Sequence, residues 1–261
     1  MITLKINNRT VEVEEGSTIL QAAEKLGIFI PTFCHDDYGR MPAKHCSNCT
    51  EYGDCKMCSC EVEGEASLLT ACNTQAEEGM VVWTESEEVK KARTDILYRM
   101  IATHPLDCMN CKKLGDCKLQ KYCEMYGVKD PLYEIPFEHR EKDLSNRFYY
   151  QEMDKCIRCG KCVRTCRELV GIDALVMAQK GSNAYVMPKG GATMAETNCV
   201  SCGNCVSVCP VGALMPKSLY DFRQWEVKKV RTTCAYREGW KDRGRHPGLR
   251  TFQPGASLCE G

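Results

Sequence analysis

The sequence lacks the features that mark exported, membrane-spanning and nucleic-acid-binding proteins. Its first residues, MITLKINNRTVEVEEG, contain neither a basic segment nor an apolar stretch, so we expect no signal peptide and a cytoplasmic location. No apolar run reaches the roughly 18 residues that a membrane span needs. The 35 Lys and Arg residues balance the 35 Asp and Glu residues, which gives no electrostatic reason to expect nucleic acid or an anionic membrane as a partner.

Signatures of nucleotide binding and hydrolysis are also missing. The sequence contains neither a G-x-G-x-x-G motif nor a P-loop, and no hydrolytic site is visible. We therefore expect no catalytic residues in this chain, and we expect NAD(P) to bind a partner subunit.

Cysteine, by contrast, is abundant, with 21 residues in a chain of 261. Disulfide-rich scaffolds are short secreted chains, whereas the thiols of a cytosolic protein stay reduced. The cysteines must then bind metal, carry out redox chemistry or pack inertly, and their spacing decides which.

Residues 1–84 predict a β-grasp domain within an α+β protein. ITLKI and TVEVE alternate apolar and polar residues around the turn at Asn7–Asn8, which indicates a hairpin. Thr18 and Gln21 fit the capping box of the helix that follows, and Gly27 fits its end.

Residues 85–140 predict a small helical domain with a His/Cys metal site. An amphipathic helix over 86–103, with Ser86 as its N-cap, delivers a histidine next to three cysteines. The predicted ligands are His104, Cys108, Cys111 and Cys117. Zinc is an alternative occupant on spacing alone.

Residues 141–222 contain an internal repeat, in which CIRCGKCVRTC recurs as CVSCGNCVSVC. Each run has the spacing C-x2-C-x2-C-x3-C, in which the first three thiolates hold one [4Fe–4S] cluster and the fourth holds the other. This spacing predicts a bacterial-type 2[4Fe–4S] ferredoxin domain, and it makes a pair of structural zinc sites improbable. The two crossed ligand sets are Cys156, Cys159, Cys162 and Cys209, and Cys199, Cys202, Cys205 and Cys166.

A further group of cysteines lies in the β-grasp unit, where an irregular loop with four thiolates suits a [2Fe–2S] cluster. One candidate set is Cys34, Cys55, Cys58 and Cys72. Spacing alone equally allows Cys34 with the pair Cys46 and Cys49. Beyond the ferredoxin domain, residues 223–261 predict an irregular C-terminal tail, which is basic from Arg237 onward and rich in Gly.

Basic residues near the cysteine groups are expected to be solvated, with a role in docking faces as the alternative. These residues are Lys118, Lys121, Arg158, Lys161 and Arg164.

These motifs, taken in order, resemble the iron–sulfur module of [FeFe] hydrogenases, the large iron–sulfur subunit of complex I, and NAD-linked formate dehydrogenases. The residues that carry the resemblance are IPTFC, GDCKMCSCEVEG, LLTAC, HPLDCMNCKKLGDCKLQ and the two ferredoxin runs. The resemblance implies one [2Fe–2S] cluster, a His-ligated [4Fe–4S] cluster and two ferredoxin-type [4Fe–4S] clusters. It also favours Cys55 and Cys58 over the other pair, because in the family an E-V-x-G strand follows the C-x2-C motif. Cysteines left without a role are Cys46, Cys49, Cys60, Cys123, Cys234 and Cys259.

The resemblance predicts an electron-transfer subunit without a catalytic site of its own. The implied partners are a flavin- and NAD(P)-binding iron–sulfur subunit, a thioredoxin-like [2Fe–2S] subunit, ferredoxin, and a catalytic hydrogenase or formate dehydrogenase subunit. Two alternatives stay open. One is a truncated or split formate dehydrogenase chain without its molybdopterin domain, because the segment ending in TTC at Cys234 is similar to formate dehydrogenases. The other is a zinc-rich binding module.

Overall fold

Residues 1–35, 55–133, 135–136, 138–178 and 184–220 are described by the computed structural model of the chain. The mixed class predicted from the sequence is confirmed, with short helices and three separate sheets among these residues. The predicted tail and Cys46, Cys49, Cys234 and Cys259 lie outside the described residues. No helix in the described ranges is long and apolar enough to cross a membrane.

The N-terminal unit is a mixed five-stranded sheet with one helix packed against it. Its strands are β1 (Ile2–Ile6), β2 (Arg9–Val13), β3 (Ser59–Val62), β4 (Leu69–Thr70) and β5 (Val81–Trp83), in the spatial order β2-β1-β5-β3-β4. The β1–β2 hairpin turns at Asn7 and Asn8, which have φ of 48° and 65°. Asn tolerates this left-handed conformation and it suits a two-residue hairpin turn. Strand β1 pairs antiparallel with β2 and parallel with β5, so the first strand of the chain lies in the interior of the sheet.

Helix α1 (Ile19–Lys25) begins at the predicted capping box. The Thr18 hydroxyl accepts from the amide of Gln21, and the Gln21 side chain accepts from the amide of Thr18. The buried face of α1 consists of Ile19, Leu20, Ala22 and Ala23. The Leu20 amide donates to the carbonyl of Ala71, so α1 also holds the segment that leads into Cys72.

Two helices connect this unit to the repeat. Helix α2 (Glu87–Ile101) begins at Ser86 as predicted, whereas helix α3 (Lys118–Met125) was not predicted. Helix α3 packs on the N-terminal unit through Tyr122, whose hydroxyl accepts from the amide of Thr32 at 3.2 Å and donates to its carbonyl at 3.1 Å.

The repeat region is built from two short strand pairs and short helices. Strand β6 (Tyr149–Gln151) pairs with β9 (Leu214–Pro216), and β7 (Leu175–Ala178) pairs with β8 (Tyr185–Pro188), both antiparallel. Helices α4 (Lys161–Arg164) and α5 (Asn204–Val208) each contain the third cysteine of a run, and a π-helical turn (Thr165–Leu169) extends α4. The boundaries of the predicted domains stay predictions.

Candidate metal centres

The two cysteine runs fold as structural copies of each other. Arg158 and Ser201 occupy equivalent positions with φ of 62° and 56°, and the glycines two residues later have φ of 71° and 75°. These left-handed residues turn the backbone back over the first cysteine of each run. As a result the amide of Arg158 donates to the Sγ of Cys156 at 3.4 Å, and that of Ser201 donates to the Sγ of Cys199 at 3.3 Å.

One small cavity brings together the first three cysteines of run one and the last cysteine of run two. Its walls are otherwise largely apolar, with Ile157, Val186 and Leu214 among them. The thiols that line it are Cys156, Cys159, Cys162 and Cys209. This is the first of the two crossed sets that the spacing predicts.

A second small cavity is lined by the other crossed set. Val170, Ile172 and Leu175 provide apolar walls, and Tyr149 brings a hydroxyl. The thiols are Cys166, Cys199, Cys202 and Cys205. Cys166 reaches this cavity from the π-helical turn, an irregularity that often marks functional sites.

In each cavity, burial makes at least one thiol difficult to ionise without a cation. Burial raises the pKa of Cys156 to about 11, with a contribution from Cys209. Burial also raises the pKa of Cys205 to about 12, with contributions from Cys199 and Cys166. Metal ligation requires thiolates, and a bound cation supplies the charge that stabilises them. Four thiols that line one cavity therefore suit an iron–sulfur cluster, whose irons hold the ligands apart. Among the described residues, no three candidate ligands are placed so that they could hold a single metal ion.

His104 follows the end of α2, where its amide donates to the carbonyl of Ile101. Burial lowers the pKa of His104 to about 4, and the ammonium of Lys155 acts in the same direction. The imidazole is therefore neutral at pH 7, the state in which it ligates metals. Its Nδ1 is buried and has no hydrogen-bond partner among the described residues, which fits a ring nitrogen reserved for a metal centre.

The cysteines predicted to join His104 lie together. Burial raises the pKa of Cys117 to about 11, and the charges of Cys111 and Cys108 add to this effect. Cys123, which has no role in the prediction, lies near this group, because Cys117 and Cys108 add to the effect of burial in raising its pKa. Cys123 lies near these cysteines because it is on helix α3, which was not predicted.

The β-grasp unit brings Cys34 and Cys55 together. A hydrogen bond with the Cys34 side chain, together with burial, raises the pKa of Cys55 well above its ordinary value. Cys58 and Cys72 are buried, and the amide of Ala71 donates to the carbonyl of Cys58 at 3.1 Å, which fixes the two segments side by side. The contact between Cys34 and Cys55 favours the set with Cys55 and Cys58. The alternative pair, Cys46 and Cys49, lies outside the described residues.

Buried cations near the cysteine groups were missed or misread from the sequence. Arg93 is fully buried although its position belongs to the predicted apolar face of α2. Lys161 and Arg164 are also buried, so the interpretation of these two as solvated or docking charges is wrong. The guanidinium of Arg164 donates to the carbonyl of Cys34 and so ties α4 to the β-grasp unit.

Close contacts also join the His104 group to the first cavity. The guanidinium of Arg158 donates to the hydroxyl of Thr103 at 3.0 Å, and the amide of Lys118 donates to the carbonyl of Pro210 at 2.9 Å. Since Arg158 lies inside run one and Pro210 follows Cys209, the His104 group packs directly against the ligand loops of the first cavity.

Comparison with known families matches these regions one by one. Residues 1–87 match a 2Fe-2S iron-sulfur cluster binding domain, residues 93–131 match the NADH-ubiquinone oxidoreductase-G iron-sulfur binding region, and residues 148–215 match the ferredoxin-like domain of NADH-quinone oxidoreductase subunit 3. The chain carries an iron–sulfur electron-transfer module. The zinc alternative is not favoured, because all three families are described as iron–sulfur or ferredoxin-like regions.

Similar proteins contain this module within longer chains. A subunit of an NADH-quinone oxidoreductase of Rhizobium meliloti (strain 1021) is 39% identical over 240 residues, which cover 90% of this chain and 26% of the relative. NADP-reducing hydrogenase subunit HndD of Solidesulfovibrio fructosivorans is 38% identical over 228 residues, which cover 87% of this chain and 37% of the relative. The chain thus spans between a quarter and two fifths of the length of these relatives.

A solved structure, that of an NAD+-reducing [NiFe]-hydrogenase in the H2-reduced state, shares the fold of the module with a TM-score of 0.72 and 26% identity. The match covers 83% of this chain and 88% of that one. The predicted resemblance to the iron–sulfur module of hydrogenases and complex I is confirmed, as is the general prediction of an electron-transfer chain related to NADH- and NADPH-linked oxidoreductases. The number of [4Fe–4S] clusters, the ligands and the partners stay predictions.

Proposed function

We propose that this chain is a non-catalytic subunit that relays single electrons between a flavin- and NAD(P)-binding iron–sulfur subunit, ferredoxin and a separate catalytic subunit of a cytoplasmic electron-bifurcating complex. The catalytic subunit would be a hydrogenase or a formate dehydrogenase. A thioredoxin-like [2Fe–2S] subunit would be a further partner, next to the flavin-binding subunit. When bound, iron–sulfur clusters accept and release electrons one at a time over a wide range of potentials.

The observation that carries this proposal is the grouping of the thiols around two cavities, each lined by cysteines from both runs. Each cavity depends on the other run for its fourth thiol, so the two sites are built together. We assign a [4Fe–4S] cluster to each cavity, with the ligands Cys156, Cys159, Cys162 and Cys209, and Cys199, Cys202, Cys205 and Cys166.

The remaining sites follow from the other two groups. We assign a [4Fe–4S] cluster to His104, Cys108, Cys111 and Cys117, and a [2Fe–2S] cluster to Cys34, Cys55, Cys58 and Cys72. The protein contacts that join the groups, from Cys34 through Arg164 and from Thr103 through Arg158, hold them within one body. A fixed series of redox sites suits transfer between separate subunits.

The partners can be tested by purification from the native host under anaerobic conditions, with identification of the chains that co-purify. We expect a flavin-binding subunit to co-purify, and we expect NADH or NADPH to bleach the visible iron–sulfur absorption of that complex but not of the isolated chain. A molybdopterin protein as the only companion would favour the split formate dehydrogenase. A complex whose iron–sulfur absorption responds to no nicotinamide would contradict the proposal.

A further inference from the structure

The two copies of the ferredoxin run differ in the hydrogen bonds that reach their first cysteine. The Sγ of Cys199 lies 3.3 Å from the hydroxyl of Tyr149 and 3.9 Å from the amide nitrogen of the Asn146 side chain, in addition to its bond from the Ser201 amide. Among the described residues, the equivalent Cys156 accepts only the amide of Arg158.

The fold holds Tyr149 firmly at this position. Tyr149 begins β6, pairs with Pro216 of β9 and is 2% exposed. The side-chain oxygen of Asn146 accepts from the amide of Tyr149 at 3.3 Å, and its nitrogen donates to the hydroxyl of Ser201 at 2.9 Å. Asn146 therefore braces both Tyr149 and the loop that carries Cys199.

The direction of the Tyr149 hydrogen bond follows from the chemistry of the ligand. A cysteine that binds metal is a thiolate and has no proton to donate. A phenol keeps its proton near neutral pH, since its ordinary pKa is about 10. The hydroxyl must then be the donor, and it places positive charge density against the sulfur of Cys199.

We propose that Tyr149 is a potential-tuning residue, whose hydroxyl selectively raises the reduction potential of the cluster held by Cys199. This inference rests on the proposed ligation by Cys199. Hydrogen bonds to ligand sulfurs stabilise the reduced state, because that state carries more negative charge. The first cavity has Val186 and Leu214 among its walls and no tyrosine among its described lining residues, so the same effect is missing there.

The test is a redox titration of Tyr149→Phe, followed by EPR, in the complete chain with all its clusters. We expect the reduction equilibrium of the Cys199 site to become about tenfold less favourable, which equals about 59 mV for one electron. The Cys156 site in the same molecule is an internal control and should keep its potential. Signals are assigned to each site with Cys166→Ser and Cys209→Ser.

Tyr150→Phe is the matched control, since Tyr150 is the next residue of β6 and is also buried. Neighbouring strand residues point to opposite faces, and Tyr150 packs its ring against Tyr220 at 5.0 Å. This variant should leave the Cys199 site unchanged. If Tyr149→Phe does not retain its iron, Asn146→Ala provides a second test. This variant removes the Asn146 contacts to Tyr149 and Ser201 and the amide donor near the Sγ of Cys199, so it should lower the potential of the same site.

The outcomes separate this inference from the proposed function. An unchanged potential at the Cys199 site in Tyr149→Phe with full iron content, or an equal shift at both ferredoxin sites, would overturn the role of Tyr149 alone. Full iron content and unaltered signals in Cys199→Ser would overturn the ligand assignment, and the inference with it. A shift confined to the Cys199 site supports both.

Discussion

Gly212 lies so close to Cys111 that a Cβ built on Gly212 would be 2.8 Å from the Sγ of Cys111. Gly212 belongs to the segment between Cys209 and β9, whereas Cys111 belongs to the His104 group. The backbone next to one proposed centre therefore makes close contact with a proposed ligand of another. Only a residue without a side chain allows this approach.

The first prediction follows from this contact. Gly212→Ala should force Cys111 or its loop to move, at a cost of about 1–3 kcal/mol of stability, as is typical of overpacking. We expect the EPR signal of the His104 site to change in shape or potential. Gly79→Ala is the control, because its positive φ of 76° makes alanine unfavourable while its surroundings are open. That variant should lose stability without any change in the EPR spectrum.

The second prediction concerns the crossed ligands of the ferredoxin domain. Cys166→Ser should damage the cluster that shares its cavity with Cys199, and Cys209→Ser should damage the one that shares its cavity with Cys156. EPR of each variant shows which signal is lost. Cys123→Ser should keep all signals, since Cys123 is not assigned to a cluster. If each variant instead lost the cluster of its own run, the crossed arrangement would be wrong.

The third prediction concerns His104. His104→Ala should leave three ligands and a labile cluster, whereas His104→Cys should retain a cluster with a potential lower by on the order of 100 mV, because the thiolate adds negative charge. His139→Ala is the control, since His139 is exposed and contacts Asp154. Both the iron content and the potential are measured. A wild-type potential and iron content in His104→Ala would show that the imidazole is not a ligand.

The fourth prediction concerns the buried Arg93. Its guanidinium donates to the carbonyl of Ser59 at 2.8 Å, to the hydroxyl of Tyr126 at 2.7 Å and to Glu85 at 2.5 Å. Arg93→Met should lower the free energy of unfolding by about 2 kcal/mol, because the buried carbonyl of Ser59 loses its donor. Glu85 is half exposed, so its charge remains solvated.

Arg99→Met on the same helix is the matched control. Arg99 is exposed and pairs with Asp95, an arrangement that contributes little to stability. Denaturant midpoints of both variants, measured without oxygen and with full iron content, make the comparison. Equal midpoints for the two variants would contradict the structural role of Arg93.

Local sequence patterns predicted much of the N-terminal unit and the grouping of the ferredoxin cysteines. The hairpin at Asn7–Asn8 and the capping box of Thr18 and Gln21 depend on neighbouring residues, and the structure contains both. The crossing of the two runs follows from a fixed spacing, and the structure places Cys166 and Cys209 accordingly. What these patterns share is that a short stretch of sequence, with its residue types and spacing, is enough to recognise each of them.

The features missed from the sequence depend on contacts between distant segments. Arg93 can occupy an apolar face, because Ser59, Tyr126 and Glu85 accept hydrogen bonds from its two terminal nitrogens. No motif near Gly212 or Tyr149 in the sequence indicates their roles, since each role depends on a cysteine sulfur from a distant segment, Cys111 for Gly212 and Cys199 for Tyr149. The periodicity of apolar residues along the chain does not indicate contacts between distant segments.

The most direct test of the account is the iron and acid-labile sulfide content of the chain, purified without oxygen and measured alongside zinc. The proposed ligand sets predict about 14 iron atoms and about 14 sulfides per chain, with one [2Fe–2S] and three [4Fe–4S] clusters. An iron content of about 10 atoms would mean that one of the [4Fe–4S] assignments is wrong. Stoichiometric zinc with little iron and no sulfide would contradict the electron-transfer function itself.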